Sequence, residues 1–246
     1  RCLRVSGCSV NGAPSLQEST ESSPVRPLTH QAQHCLMAEA AILPMATTGF
    51  SPSVVRLGQV HGRGSRMRLD LMVHAMVLSA LRLRQITLDN QGLQCRGHVH
   101  LSDAVHGLMA VLAAPASMVS RQIFNISHHN VSAAQVADAI RAALGGQIHI
   151  NLQGGAPDLH HHRPSYRKAQ DLLGYRPQVG LGEGLHGLID ALDPGLSAEP
   201  PEARAMRWIH EVLAQGREAK AAIEHTAVFN RLPNRMARAG GSLTYQ

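Results

Sequence analysis

Short β-branched or apolar runs alternate with segments of helical apolar spacing along most of this chain, and that alternation limits the fold more than any single motif. "RCLRVSG" opens a buried strand within residues 1–10, followed by a loop rich in Gly, Pro and Ser. "HQAQHCLMAEAAIL" (30–43) has helical spacing, with Thr29 as its N-cap. "SPSVVRLGQVHG" (51–62) reads as a strand ending at glycine. Residues 66–83 then read as a helix and "QITL" as a short strand. "GHVHLSDAVHGLMAVLAAP" (97–115) passes from strand into a helix capped by Ser102 or Asp103. "QIFNIS" (122–127) and "QIHINL" (147–152) are strands on either side of a helix over 133–144, which Ser132 caps. Further helices are expected over 165–174 and 181–192. Strands alternating with helices predict a parallel, doubly wound α/β sheet. A Pro-rich break begins at Asp193, with helical segments near 202–214 and 217–229, so residues 193–246 form a helical C-terminal extension to a unit over 1–192.

The function classes that composition excludes follow from a few residue types. Aromatic residues make up only 3% of the chain, which argues against a base-stacking nucleic-acid surface, and no run of five basic residues marks a nucleic-acid tail. The net charge of +6 comes almost wholly from arginine, since Lys168 and Lys220 are the only lysines. Arginine suits bidentate recognition of phosphate or carboxylate, although a GC-rich coding bias gives the same composition. Cys2, Cys8, Cys35 and Cys95 show no CxxC pairing and read as reduced thiols of a cytoplasmic protein. No stretch approaches the ~18 apolar residues of a membrane span, and no signal peptide is present, so no membrane partner is expected.

Five stretches taken in order resemble one family. "VSGCSVNG" (5–12) looks like a strand end of the form S-S-x-S-V-Y-G, and "VVRLGQVHGRGSRMRLD" (54–70) like R-x-x-N-V-Y-G-P followed by R-M-R-x-D. "QGLQCRGHVHLSDAV" (91–105) resembles G-x-Q-x-R-x-F-V-H-V-x-D-V, and "IFNIS" (123–127) resembles I-F-N-V-G. "PDLHHHRPSYRKAQDLLGYRP" (157–177) resembles P-D-x-R-x-Y-x-x-S-x-x-K-A-x-x-L-G-Y-x-P. Together they resemble the NAD-dependent epimerase/dehydratase family of the extended short-chain dehydrogenase/reductase superfamily, which acts on nucleotide sugars. The resemblance implies a partial Rossmann-like sheet with a small substrate-binding α/β subdomain, an NAD(P) cofactor, a nucleotide-sugar-like ligand, and a homodimer formed through helices that include 30–43.

The same resemblance points to departures. In the family the first ~100 residues carry a glycine-rich cofactor turn at a helix N-terminus. No such turn precedes the first strand here, so cofactor binding is in doubt and the chain is expected to be a fragment or a degenerate homologue. One GxGxxG occurs, at Gly182, Gly184 and Gly187, but it follows "RPQVGL" rather than a buried strand. The family's catalytic Tyr and Lys, four residues apart on one helix face, are replaced by His30 and His34. Gly7 stands at the Ser/Thr position, with Ser6 and Ser9 nearby, and no YxxxK occurs anywhere. Gly58 and Gln59 fall at cofactor-facing positions of the V-Y-G loop, where His61 replaces the Tyr. Substrate-facing positions are Arg96, which matches a diphosphate-gripping arginine, His74 in place of an Asn, Asp158, and His160 in place of an Arg. His162 replaces a Tyr. His30 and His34 have the spacing of a helical zinc site, but Gln31 occupies the place of its glutamate and no metal is expected. The alternative to a nucleotide-sugar enzyme is a noncatalytic nucleotide-sugar-binding or dimerising scaffold module.

Overall fold

The computed structural model describes residues 1–12, 17–64, 67–154 and 161–192. The expected C-terminal helical extension, together with Asp158 and His160, lies outside the described residues. The chain forms β1 (Cys2–Gly7), α1 (His30–Ile42), β2 (Pro52–Leu57), β3 (Gln59–His61), α2 (Met72–Leu83), β4 (Gln85–Asp89) and β5 (Cys95–His100). It continues through α3 (Leu101–Ala113), α4 (Ala116–Val119), β6 (Ile123–Ile126), β7 (His129–Ser132), α5 (Ala133–Ala143), β8 (His149–Gln153), α6 (Arg167–Leu173) and α7 (Leu181–Ala191).

These strands make an α/β fold with parallel pairing, divided among three sheets. The first has the order β1–β2–β6 and is wholly parallel. The second, β3–β5–β7, pairs β3 with β5 in parallel and β5 with β7 antiparallel. The third joins β4 and β8 in parallel. The core beneath the first sheet packs Val55, Phe124 and Ile126 against Val99, Val111 and Tyr175. Gly107 of α3 lets that helix close on the sheet, since a Cβ there would lie 2.7 Å from Ile126 Cγ2.

Local chemistry accounts for the elements and for four departures from the sequence reading. Thr29 caps α1 as expected, its hydroxyl accepting from the Ala32 N–H at 3.1 Å. Ser132 and Gln135 form a reciprocal capping box at α5. The single strand expected over 51–62 is instead two, in different sheets, with the break at Gly58. A Cβ at Gly58 would stand 2.9 Å from Gly97 O, so the backbone can pass there only as glycine. The helix expected from 66 begins only at Met72, because a turn closed by the Arg68–Asp70 ion pair and the Leu71 N–H to Arg68 O bond precedes it. Helix α3 is capped neither by Ser102 nor by Asp103 but by His100, whose Nδ1 accepts from the Ser102 N–H. Strand β7 was not expected at all, since "HNVS" is half-buried throughout and shows no alternation of polar and apolar residues.

Candidate functional site

The join between β1 and β2 fixes one side of the site. Ser6 on β1 donates to Glu39 Oε1 of α1 at 2.5 Å, and Arg56 on β2 donates to the same carboxylate through Nε and Nη2. The Arg56 and Glu39 side chains are only 3% and 2% exposed, so this is a buried ion pair whose hydrogen bonds hold α1 at one rotation against the sheet. That rotation points Ala32 and Glu39 inward and leaves His30 and His34 on the exposed face. The three catalytic-position residues are thus set apart. Ser6 is buried with its hydroxyl committed to Glu39, while both histidines face solvent on the first turns of α1.

Beside the N-terminus of α1 lies a cleft of about 270 Å³ lined by Ser9, Gly12, Thr29, Gln31, Gln59, Arg96 and His162. Gln59 arrives on β3 and Arg96 on the neighbouring β5, where Gln59 is in register with His98. His162 is brought in by a bridge between residues 162 and 96 and by its N–H donating to Cys95 O at 3.1 Å. The Gln59 Oε1 is buried without a hydrogen-bond partner among the described residues. Among the described residues the lining contains one arginine and no carboxylate, alongside hydroxyl, amide and imidazole groups. Such a set suits an anion with several acceptor oxygens, and the positive end of the α1 dipole adds to it.

The other expected site residues fall elsewhere. Gly58 is buried at the β2–β3 break, with its N–H donating to Ile126 O. His74 sits on α2, 4% exposed, with Nε2 3.3 Å from Gly62 O. It lines a separate cavity of about 110 Å³ with His61, Arg68 and Leu101, and burial lowers its pKa. Asp103 is 3% exposed and accepts from the Gln178 and Val179 N–H groups at 3.0 and 2.9 Å, which fixes the segment leading into α7. Among the described residues, no group of three or more His, Cys, Asp or Glu is placed to hold a metal ion. Ser9, Thr29, Gln31 and His162 complete the cleft. Thr29 was legible as a helix cap, but nothing in the sequence marked that cap as a cleft wall.

Among the described residues no strand leads through a GxGxxG turn into a helix. The one such motif lies inside or at the start of α7, with Gly182, Gly184 and Gly187 all within the helix. Gly184 is needed for packing, because a Cβ there would lie 2.9 Å from His61 Nε2. The described residues do not build a pyrophosphate cradle for a dinucleotide.

Strands paired mostly in parallel and alternating with helices make this a Rossmann-like α/β fold. The family model "NAD dependent epimerase/dehydratase family" matches residues 1–127. The chain belongs to that family. UDP-glucuronic acid decarboxylase 1 of Xenopus tropicalis is 29% identical over 196 residues, which cover 77% of this chain and 46% of the relative. The chain thus spans about half the length of that curated relative. UDP-glucuronic acid 4-epimerase from Bacillus cereus, solved with UDP-glucuronic acid and NAD, is 22% identical. It superposes with a TM-score of 0.70 over 77% of this chain and 60% of its own. MoeE5, solved with UDP-glucose and NAD, is 28% identical with a TM-score of 0.68, over 79% and 65% of the two chains. Among the described residues no helix is long and apolar enough to cross a membrane.

Proposed function

We propose that this chain binds the diphosphate of a nucleotide sugar in the Arg96 cleft and does not itself carry out the family's hydride chemistry. One observation carries the reading: Arg96, Gln59 and Thr29 converge on a cleft with no carboxylate among the described residues of its lining. Arg96 supplies a guanidinium fork for phosphate oxygens, Thr29 and Ser9 supply hydroxyls, and Gln59 offers an amide. The volume of about 270 Å³ lies just under the roughly 300–1,000 Å³ of ordinary ligand pockets. It suits a diphosphate with one adjoining ring rather than a whole nucleotide sugar. The relatives solved with UDP-sugars support the choice of ligand class.

The noncatalytic part of the reading rests on the residues at the catalytic positions. An exposed imidazole at 34 lacks the fixed charge and the reach of a lysine, and Ser6 spends its hydroxyl on Glu39. Catalytic degeneracy of this chain, or supply of the cofactor half by further chain, are both compatible with that arrangement. Residence in the cytoplasm fits four free cysteines. A homodimer through α1 fits the outward Met37, 68% exposed on that helix. Isothermal titration with UDP-glucuronic acid tests the main claim. Saturable binding that weakens at least tenfold in Arg96→Ala supports it, and binding indifferent to Arg96 overturns it.

A further inference from the structure

The sheet β3–β5–β7 that brings Gln59 and Arg96 to the cleft is packed around histidines. His61 on β3 is 1% exposed and His98 on β5 is 0% exposed. Their rings meet edge to face with centroids 6.2 Å apart, and the His100 ring lies 5.6 Å from that of His61. Neither ring nitrogen of His98 has a hydrogen-bond partner among the described residues, and the same holds at His61, where the Val99 backbone favours the charged form only weakly. These imidazoles stand at the sequence positions of a Tyr and a Phe in the patterns this stretch resembles. They do so as packing groups, with α7 closing over them at Gly184, 2.9 Å from His61 Nε2 for an added Cβ.

We propose that the His61–His98 pair is an acid-sensitive latch, which holds the β3–β5–β7 sheet against α2 and α7 at neutral pH and releases it when the rings must take up protons. Among the described residues, every titratable neighbour named against the pair works in the same direction or is occupied elsewhere. His100 and Arg96 of β5, His74 of α2, His129 of β7 and His162 all oppose a positive charge on one ring or the other. The nearby carboxylates are committed: Asp70 to Arg68, and Asp103 to the Gln178 and Val179 N–H groups. Helix α7 presents Gly184, with no ionisable atom, at the contact.

Burial is the main cause of the shifts, followed by the neighbouring imidazoles and, for His98, Arg96. It lowers His61 to about 4 and His98 to about 3, from an ordinary 6.5. Above pH 6.5 both folded and unfolded chains hold these rings neutral, and the full stability is present. Below it the unfolded chain takes up protons that the folded chain refuses, so stability falls as pH drops from 6.5 toward 4. Each histidine costs up to tenfold in the folding equilibrium per pH unit in that window. Because Gln59 and Arg96 ride on the same strands, the cleft loosens with the latch; that consequence alone rests on the function proposed above.

The test reads stability and ligand binding separately. Thermal unfolding of the full chain is followed by circular dichroism from pH 7.5 to 4.5, beside a carbon-detected titration of the imidazole Cε1 signals. The expected wild-type result is a midpoint that falls steeply below pH 6.5 while two imidazoles stay neutral in the folded protein. Hydrogen exchange should rise first in β3, β5 and β7. Replacing the pair with aromatic groups, H61Y with H98F, should flatten the fall by at least tenfold in the folding equilibrium at pH 5. A wild-type midpoint that is flat between pH 7.5 and 5 overturns the latch, as do buried imidazoles that titrate near 6.5 in the folded chain. Should the double variant not fold, the wild-type imidazole titration and exchange pattern decide by themselves. Loss of UDP-glucuronic acid binding at all pH values, with the acid fall intact, would count against the proposed function and leave the latch standing.

Discussion

Glu39 and Arg56 meet as a paired ion inside the protein, with Arg56 Nη2 2.6 Å from Glu39 Oε2. Ser6 adds its hydroxyl to the same carboxylate, so a helix and two strands share one polar joint. Removing one partner leaves the other charge buried and unpaired, whereas removing both leaves only a packing problem. Glu39→Ala is therefore expected to cost about 3–5 kcal/mol in urea unfolding. The double change Glu39→Met with Arg56→Met should recover most of that. Equal losses in the single and double variants would show that the pair contributes little beyond its volume.

The glycines of α7 separate packing from cofactor recognition. Gly187 has nothing within 4 Å of an added Cβ, so Gly187→Ala should stabilise the protein by up to about 1 kcal/mol through helix propensity. Gly184→Ala drives a methyl against His61 and His100 and should lose about 1–3 kcal/mol to overpacking, less the propensity gain. Chemical denaturation distinguishes the two. A pair of glycines recognising a dinucleotide would instead change nicotinamide binding together, with little difference in stability.

Thr29 joins helix capping to the cleft. Thr29→Ala should cost about 1 kcal/mol of stability, the usual loss of a hydroxyl cap. Because Thr29 also lines the cleft, the same change should weaken UDP-glucuronic acid binding. Thr29→Ser, which keeps the hydroxyl, should restore both. Restoration of stability without affinity would remove Thr29 from the ligand site.

His30 and His34 are exposed on the first turns of α1. His30→Ala with His34→Ala should leave stability within about 0.5 kcal/mol and UDP-glucuronic acid affinity unchanged. A calorimetric titration that shows lost affinity would return these residues to the site.

The periodic parts of the fold were legible because their signals are local. Thr29 and Ser132 mark helix starts through a hydroxyl and the apolar spacing after it, and both caps form. The break at Gly58 was not legible, since its cause is the carbonyl of Gly97, which lies far along the chain. The same holds for the site. Arg96 and Gln59 could be picked out one at a time from their positions in the resembling stretches. That they share a cleft, while His74 faces another cavity, depends on the pairing of β3 with β5. Glu39 gave no signal, because a lone acid in an apolar helix reads as surface until the arginine opposite it is known. His61 reads in sequence only as a replacement for a Tyr, and nothing local marks His98 and His100 of β5 as its ring neighbours.

The measurement that bears most directly on the central claim is a paired titration of the full chain. UDP-glucuronic acid is followed by heat, and NADH by nicotinamide fluorescence with the sugar nucleotide present at saturation. Saturable uptake of the sugar nucleotide is expected, with no saturable NADH signal, in a chain that unfolds cooperatively. Micromolar NADH binding by this chain alone, accompanied by turnover of the sugar, would contradict that claim.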